Sequence, residues 1–125
     1  MDQEYQAGCG CYRGRKARWI EPSVLYLLWQ GERHGYELMN DLPDVGFLNG
    51  PADPGAVYRM LRHLEDNGLV ESEWDTTGSG PAKRLYTITG VGKQSLMMWL
   101  ETLKSHYHAL SDFIHKLESL QEENK

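Results

Sequence analysis

The 125-residue sequence predicts a mostly helical fold carrying one small β-hairpin, an α+β arrangement. Two stretches carry that prediction. Between Asp53 and Tyr86, a short amphipathic segment stops at Asn67 and Gly68 and runs into two β-favouring runs around a tip of Thr, Gly, Ser and Pro. From Leu96 to Leu117, apolar residues return in steps of four and three without a break, the pattern of one long helix with an apolar seam.

The elements follow in chain order. A first helix is expected from Pro22, because proline has no amide to leave unpaired in a first turn. Ser23, Val24, Leu25, Tyr26, Leu27, Leu28 and Trp29 follow, apolar nearly all round, so this helix belongs at the centre of the core until Gly31 ends it. A second helix opens at His34, Gly35 and Tyr36, carries Leu38 and Met39, and stops at Pro43. A loop over 44–52, whose Phe47 and Leu48 are expected to cover the core, leads to Asp53. There Asp53 is suited to accept a bond from a first-turn amide, and Pro54 starts a third helix. Val57, Leu61 and Leu64, with Met60 and Tyr58 alongside, form its apolar stripe and leave Arg59, Arg62, His63 and Asp66 outside. Asn67 and Gly68 tolerate the left-handed conformation that ends many helices. Leu69 to Trp74 and Arg84 to Ile88 then read as two strands, with Lys83 and Arg84 at the base of the returning one. A helix sized for a DNA groove, followed by a two-stranded wing, is the layout of a winged helix-turn-helix domain.

Thr89 is placed to cap the last helix. Its seam is Leu96, Leu100, Leu103, Tyr107, Leu110, Ile114 and Leu117, widened on one flank by Trp99 and Phe113. That is more apolar surface than one small domain covers, so a partner helix is expected. At about 1.5 Å per residue, Val91 to Leu120 spans roughly 45 Å, enough to hold two domains apart. The expected organisation is a flexible basic N-terminal arm over 1–18 with Cys9 and Cys11, a winged-helix domain over 19–90, and a dimerisation helix and tail over 91–125. A two-fold dimer would present two recognition helices to an inverted repeat in double-stranded DNA.

Composition fits one small domain with an extension, at 40% hydrophobic and 25% charged residues. No run reaches the roughly 18 apolar residues of a membrane span. The N-terminus lacks the apolar core of a secretory signal, so a cytoplasmic protein without membrane partners is expected. The formal net charge of −5 opposes a nucleic-acid role unless the basic groups are concentrated. Their order suggests that they are. Arg13, Arg15, Lys16 and Arg18 precede the domain, Arg59 and Arg62 lie outside the stripe of the third helix, and Lys83 and Arg84 sit in the wing. Glu101, Asp112, Glu118, Glu122 and Glu123 fall in the last helix and tail. Glu65, Asp66, Glu71, Glu73 and Asp75 flank the wing, so non-specific affinity should be weak and binding should need two domains acting together.

Three segments together resemble a known family. These are HGYEL at His34–Leu38, PGAVYRMLRHLEDNGLVESEW from Pro54, and GPAKRLYTITGVGK from Gly80. In that order they are similar to the PadR family of bacterial transcriptional regulators, over about Trp19 to Gly92 and more loosely through the last helix. The resemblance implies a homodimeric winged-helix repressor with a C-terminal dimerisation helix, and it says nothing of residues 1–18.

The expected DNA contacts are Tyr58, Arg59 and Arg62 from the third helix and Lys83 and Arg84 from the wing, with Tyr36 as a further phosphate contact. Arginine grips either a phosphate or the O6 and N7 edge of guanine, and the sequence leaves that choice open. Tyr58 is open between a base contact and a half-buried ring with its hydroxyl on a phosphate. Lys83 and Arg84 are open between DNA contacts and a solvated strand edge. The resemblance also suggests a small, often aromatic effector between the dimerisation helices and the winged domains. Trp99, Met97 and Met98, with Tyr26 or Trp29 opposite, are the expected lining, and ordinary core packing explains the same residues.

Cys9 and Cys11 have two readings, a redox or soft-metal site and an inert flexible terminus. His108, Asp112 and His115 have metal-binding spacing on one helix face, but they lie off the seam and read as a solvated face. No metal or cofactor is expected. There is no nucleophile elbow, no Gly-rich phosphate loop and no H-E-x-x-H, so an enzyme is not expected. The rival to DNA binding is a winged-helix module that contacts proteins, against which the exposed arginines count.

Overall fold

Four helices and three short strands succeed one another along the described part of the chain. The structure, a computed structural model, describes residues 12–45 and 53–124, with side chains from residue 19 onward. The expectations for Cys9, Cys11, Phe47 and Leu48 lie outside these residues, as do the side chains of Arg13, Arg15, Lys16 and Arg18.

Helix α1 spans Tyr12–Gln30, so Pro22 lies within it and does not start it. A proline removes one amide from the ladder, and the turns before it can still form; Ser23 Oγ adds a bond to the carbonyl of Trp19 at 3.0 Å beside the interruption. Residues 12–18 are therefore helical where a flexible arm was expected. At the other end, the Arg33 guanidinium donates to the carbonyls of Leu27 and Gly31 and to Asp41 Oδ2, satisfying the last turn of α1 and tying it to the next helix.

Arg33–His34 form a two-residue strand, β1, that the sequence does not announce. Helix α2, Gly35–Asp41, follows at once, and Glu37 Oε1 accepts from the His34 amide at 2.8 Å in its first turn. Pro43 ends it in a 3₁₀ turn at Leu42–Asp44. Helix α3, Pro54–Asp66, begins where expected, but the Asp53 side chain makes no capping bond. The carboxylate instead lies 4.0 Å from Arg59 Nη2. Gly68, at φ +78°, turns the chain out of α3 in the left-handed region that glycine adopts freely.

Strands β2, Val70–Asp75, and β3, Lys83–Ile88, pair antiparallel from Val70↔Ile88 to Asp75↔Lys83. β1 adds to the far side of β3, giving the order β1-β3-β2. Helix α4, Gly90–Glu123, starts at Thr89, whose Oγ1 accepts from the Gly92 amide at 3.0 Å as expected.

Val24 and Leu25 of α1, Leu38 and Leu42, Val57, Leu61 and Leu64 of α3, and Val70 of β2 are essentially fully buried. The stripe read from α3 is thus the stripe that packs. α1 is central to the core, although Tyr26 and Trp29 reach its edge half exposed. Among the described residues, α4 joins this core through its first part, at Leu96 and Trp99. The architecture is the mostly helical winged fold read from the sequence.

Candidate nucleic-acid interface

The first residue of α2 decides where the ring of Tyr58 on α3 lies. Gly35 has no side chain, and Tyr58 occupies the space, its Cε1 only 2.7 Å from where a Cβ would stand. Tyr36, one residue on, stacks its ring against His34 at 5.3 Å and 11°. Lys83 Nζ lies 5.0 Å from the Tyr36 ring centre, and the Arg84 guanidinium lies 4.7 Å from that of Trp74. Tyr36, Tyr58, Trp74, Lys83 and Arg84, with His34, line one open cleft of about 300 Å³ where α2, α3 and the wing meet.

The structure therefore brings Tyr36, Tyr58, Lys83 and Arg84 of the expected contacts together. Arg59 and Arg62 lie on the exposed side of α3, outside that cleft. The Arg59 side chain is 58% exposed and only loosely engaged by Asp53. No ion pair holds Arg62 among the described residues. A surface with two exposed guanidinium groups on a helix, aromatic rings at its edge and two cations on the neighbouring strand can grip a phosphate backbone while a helix faces base edges.

Two of the acids that flank the wing are already engaged. Glu65 accepts from Ser72 Oγ at 2.7 Å, which joins α3 to β2. Asp75 uses both oxygens: Oδ1 accepts from the hydroxyl and amide of Thr77 at 2.6 and 3.0 Å, and Oδ2 meets His34 Nε2 at 2.8 Å. Those Thr77 bonds, ahead of the His34 bond, hold its carboxyl down at about 2. Glu37 is lowered, first by the His34 amide, while burial raises the Tyr86 phenol. Sequence reading missed Trp74 and Asp75 as constituents of this surface. The residues His34 and Asp75 lie 41 positions apart, and nothing local signals that they meet.

The expected effector lining is divided between separate places. Met97 and Tyr26 do face one cleft, of about 680 Å³, between α1 and α4, with Leu27, Leu96, Leu100 and Leu103. Trp99 is not among its walls. It packs on Trp19 at 5.9 Å and donates from Nε1 to Glu21 at 3.0 Å. Met98 is largely exposed beside Trp99 in a separate shallow groove, and Trp29 lies under Lys93 Nζ at 5.2 Å. The rotation of α4 about α1 turns Met97 inward and Met98 outward, one residue apart. His108, Asp112 and His115 are exposed. Beyond Leu103 the seam residues Tyr107, Leu110, Ile114 and Leu117 are also exposed, with Phe113 and Leu120.

Comparisons with known proteins point to one family. A family model described as the PadR-like family of transcriptional regulators matches residues 24–98. The negative transcriptional regulator PadR of Bacillus subtilis (strain 168) is 29% identical over 104 residues, 78% of this chain and 57% of that protein, so the match leaves out over a third of the relative. Bacillus subtilis PadR in complex with operator DNA superposes with a TM-score of 0.59 at 30% identity, covering 66% of this chain and 47% of that one. A PadR family transcriptional regulator from Eggerthella lenta DSM 2243 gives 0.61 at 29% identity, covering 82% and 84%. This is not a class of enzymes, and no helix among the described residues is long and apolar enough to cross a membrane. Since the matched segment runs from the buried face of α1 through the wing into α4, over more than half of the sequence, the chain belongs to the PadR-like family of transcriptional regulators.

Proposed function

We propose that this chain is a homodimeric repressor that binds an inverted repeat in double-stranded DNA, acting in the cytoplasm. The observation that carries this reading is the convergence of Tyr36, Tyr58, Lys83 and Arg84 on one cleft beside the exposed arginines of α3. In this reading α3 enters the major groove, Arg59 and Arg62 read bases or grip phosphates, and the wing cations hold the flanking backbone. The operator complex of Bacillus subtilis PadR supports it by similarity.

The homodimer forms through α4. A row of apolar side chains, each 45% or more exposed from Tyr107 to Leu120, covers about four turns near the end of a helix whose first turns already pack on α1. A second α4 laid along it buries both rows and sets the separation of the two α3 helices. Small aromatic effectors enter the α1–α4 cleft, whose size suits such a molecule and whose polar groups include Arg33, Asp41 and Gln30. Filling it shifts α4 against the winged domain and the two recognition helices with it.

A titration of a fluorescent operator duplex by anisotropy, across a range of salt, tests the DNA reading. Arg62→Ala should weaken binding about tenfold or more if it reads a base, or reduce the salt slope by about one if it grips a phosphate. Unchanged affinity and slope in both Arg62→Ala and Arg59→Ala would remove α3 from the DNA interface.

A further inference from the structure

His34 has both ring nitrogens on carboxylates. Nδ1 lies 2.7 Å from Glu37 Oε1 in α2, and Nε2 lies 2.8 Å from Asp75 Oδ2 at the end of β2. A neutral imidazole has one N–H and can donate to only one of them; the imidazolium donates to both. The bridge spans the junction between the start of α2 and the last rung of the wing ladder, where Asp75 faces Lys83. Lateral support for the wing ends nearby. β1 contributes only Arg33↔Tyr86 and His34↔Leu85, so among the described residues the hairpin from Arg84 outward has no third strand beside it.

We propose that His34 is a positioning residue for the wing: clasped between Glu37 and Asp75, it fixes the wing against α2 and so sets where Lys83 and Arg84 stand beside Tyr36 and Tyr58. Two further contacts make the coupling specific. Tyr36 stacks on the His34 ring and carries Lys83 over its face, and Asp75 uses its second oxygen to shape the tip through Thr77. Movement of the His34 ring therefore reaches Lys83 and the first residues of the tip. Its significance for operator affinity rests on the DNA reading above; the clasp itself does not.

The clasp is protonation-dependent. The groups that face it are Glu37 from α2, Asp75 from β2, Arg33 from β1, Lys83 and Arg84 from β3 and Tyr58 from α3. The carboxylates touch the ring directly and the cations do not. The hydrogen bond to Asp75, then that to Glu37, raises the His34 pKa above its ordinary value of 6.5 against a smaller opposing effect of burial. A raised folded-state pKa means that the bridge is complete below about pH 6.5 and is lost as pH rises through the raised value.

The test uses the full chain, with and without operator duplex, as wild type, His34→Gln, Asp75→Asn and the double variant, between pH 5.5 and 8.5. Asparagine at 75 keeps an oxygen for Thr77 and loses the carboxylate that His34 needs. Amide-exchange protection of the outer ladder residues 73–75 and 83–85 reports the clasp without DNA, and the ring nitrogen shifts of His34 report its titration. Wild type should lose about tenfold in wing protection across the His34 titration, His34→Gln should show that loss at every pH, and Asp75→Asn, whose amide donates to a neutral ring and not to an imidazolium, should show it on the acid side of the titration. The double variant should be no worse than either single one, because the two groups act as a pair. Operator affinity should fall in parallel, about three- to tenfold. Folded variants with wild-type wing protection and an unchanged pH profile would overturn the proposal. If wild type protects its wing in this pH-dependent way yet binds no duplex, the clasp stands and the DNA reading falls.

Discussion

The Tyr58 ring rests on Gly35, with its hydroxyl oxygen 2.9 Å and its Cε1 2.7 Å from the position a Cβ would take at residue 35. Since Tyr58 is 41% exposed, it has room to swing outward when a methyl group arrives. Gly35→Ala should therefore cost only about 1 kcal/mol in stability, measured by urea denaturation. Operator affinity should fall further than that, because the tyrosine leaves its place beside Arg84. A variant that loses stability by several kcal/mol while its residual folded fraction binds normally would contradict this role for the contact.

Gly92 presents the opposite case. A Cβ there would collide with the backbone carbonyl of Leu69 and stand 2.7 Å from Ile88 Cγ1. That carbonyl already accepts from the amide of Thr89, so it has little freedom to move. Gly92→Ala should destabilise by about 2–3 kcal/mol by urea denaturation, since α4 must shift off the hairpin.

Thr89 holds the same junction through its hydroxyl, which accepts from the Gly92 amide and donates toward the Gly68 carbonyl at 2.7 Å. Thr89→Ala should cost about 1–2 kcal/mol and Thr89→Ser much less, because serine keeps the cap. Thermal unfolding of the two variants side by side separates the cap from the methyl group.

The exposed row on α4 should be an interface between copies of this chain. Leu110 and Ile114 are 60% and 45% exposed in the single chain, so a charge at either has no core to disturb. Leu110→Glu and Ile114→Glu should yield folded monomers by sedimentation equilibrium, with operator affinity down by about a hundredfold or more from lost bivalency. Dimers of unchanged affinity would place the interface elsewhere.

The elements with strong local signals were legible in the sequence. The stripe of Val57, Leu61 and Leu64, the turn formers at the wing tip and the Thr89 cap each act through neighbours a few residues away, and each stands where expected. β1 was not legible, because two residues show no periodicity and Arg33 finds Tyr86 only once the hairpin is in place. Pro22 misled because the same residue suits a first turn and an interior interruption. Asp53 had the right type for a cap, yet its carboxylate faces Arg59. The division of Met97 from Met98 and Trp99 depends on how α4 rotates against α1, which is settled by Glu21, Trp19 and the cleft walls on another helix.

Selection from random duplex DNA by the purified protein, repeated with Arg59→Ala and Arg62→Ala, is the most direct measurement. An enriched inverted repeat, with half-sites about one helical turn or a multiple of it apart, that both variants lose is the result expected of two α3 helices held by paired α4 helices. No enrichment by a folded dimer, or enrichment that survives both substitutions, would contradict DNA recognition through α3.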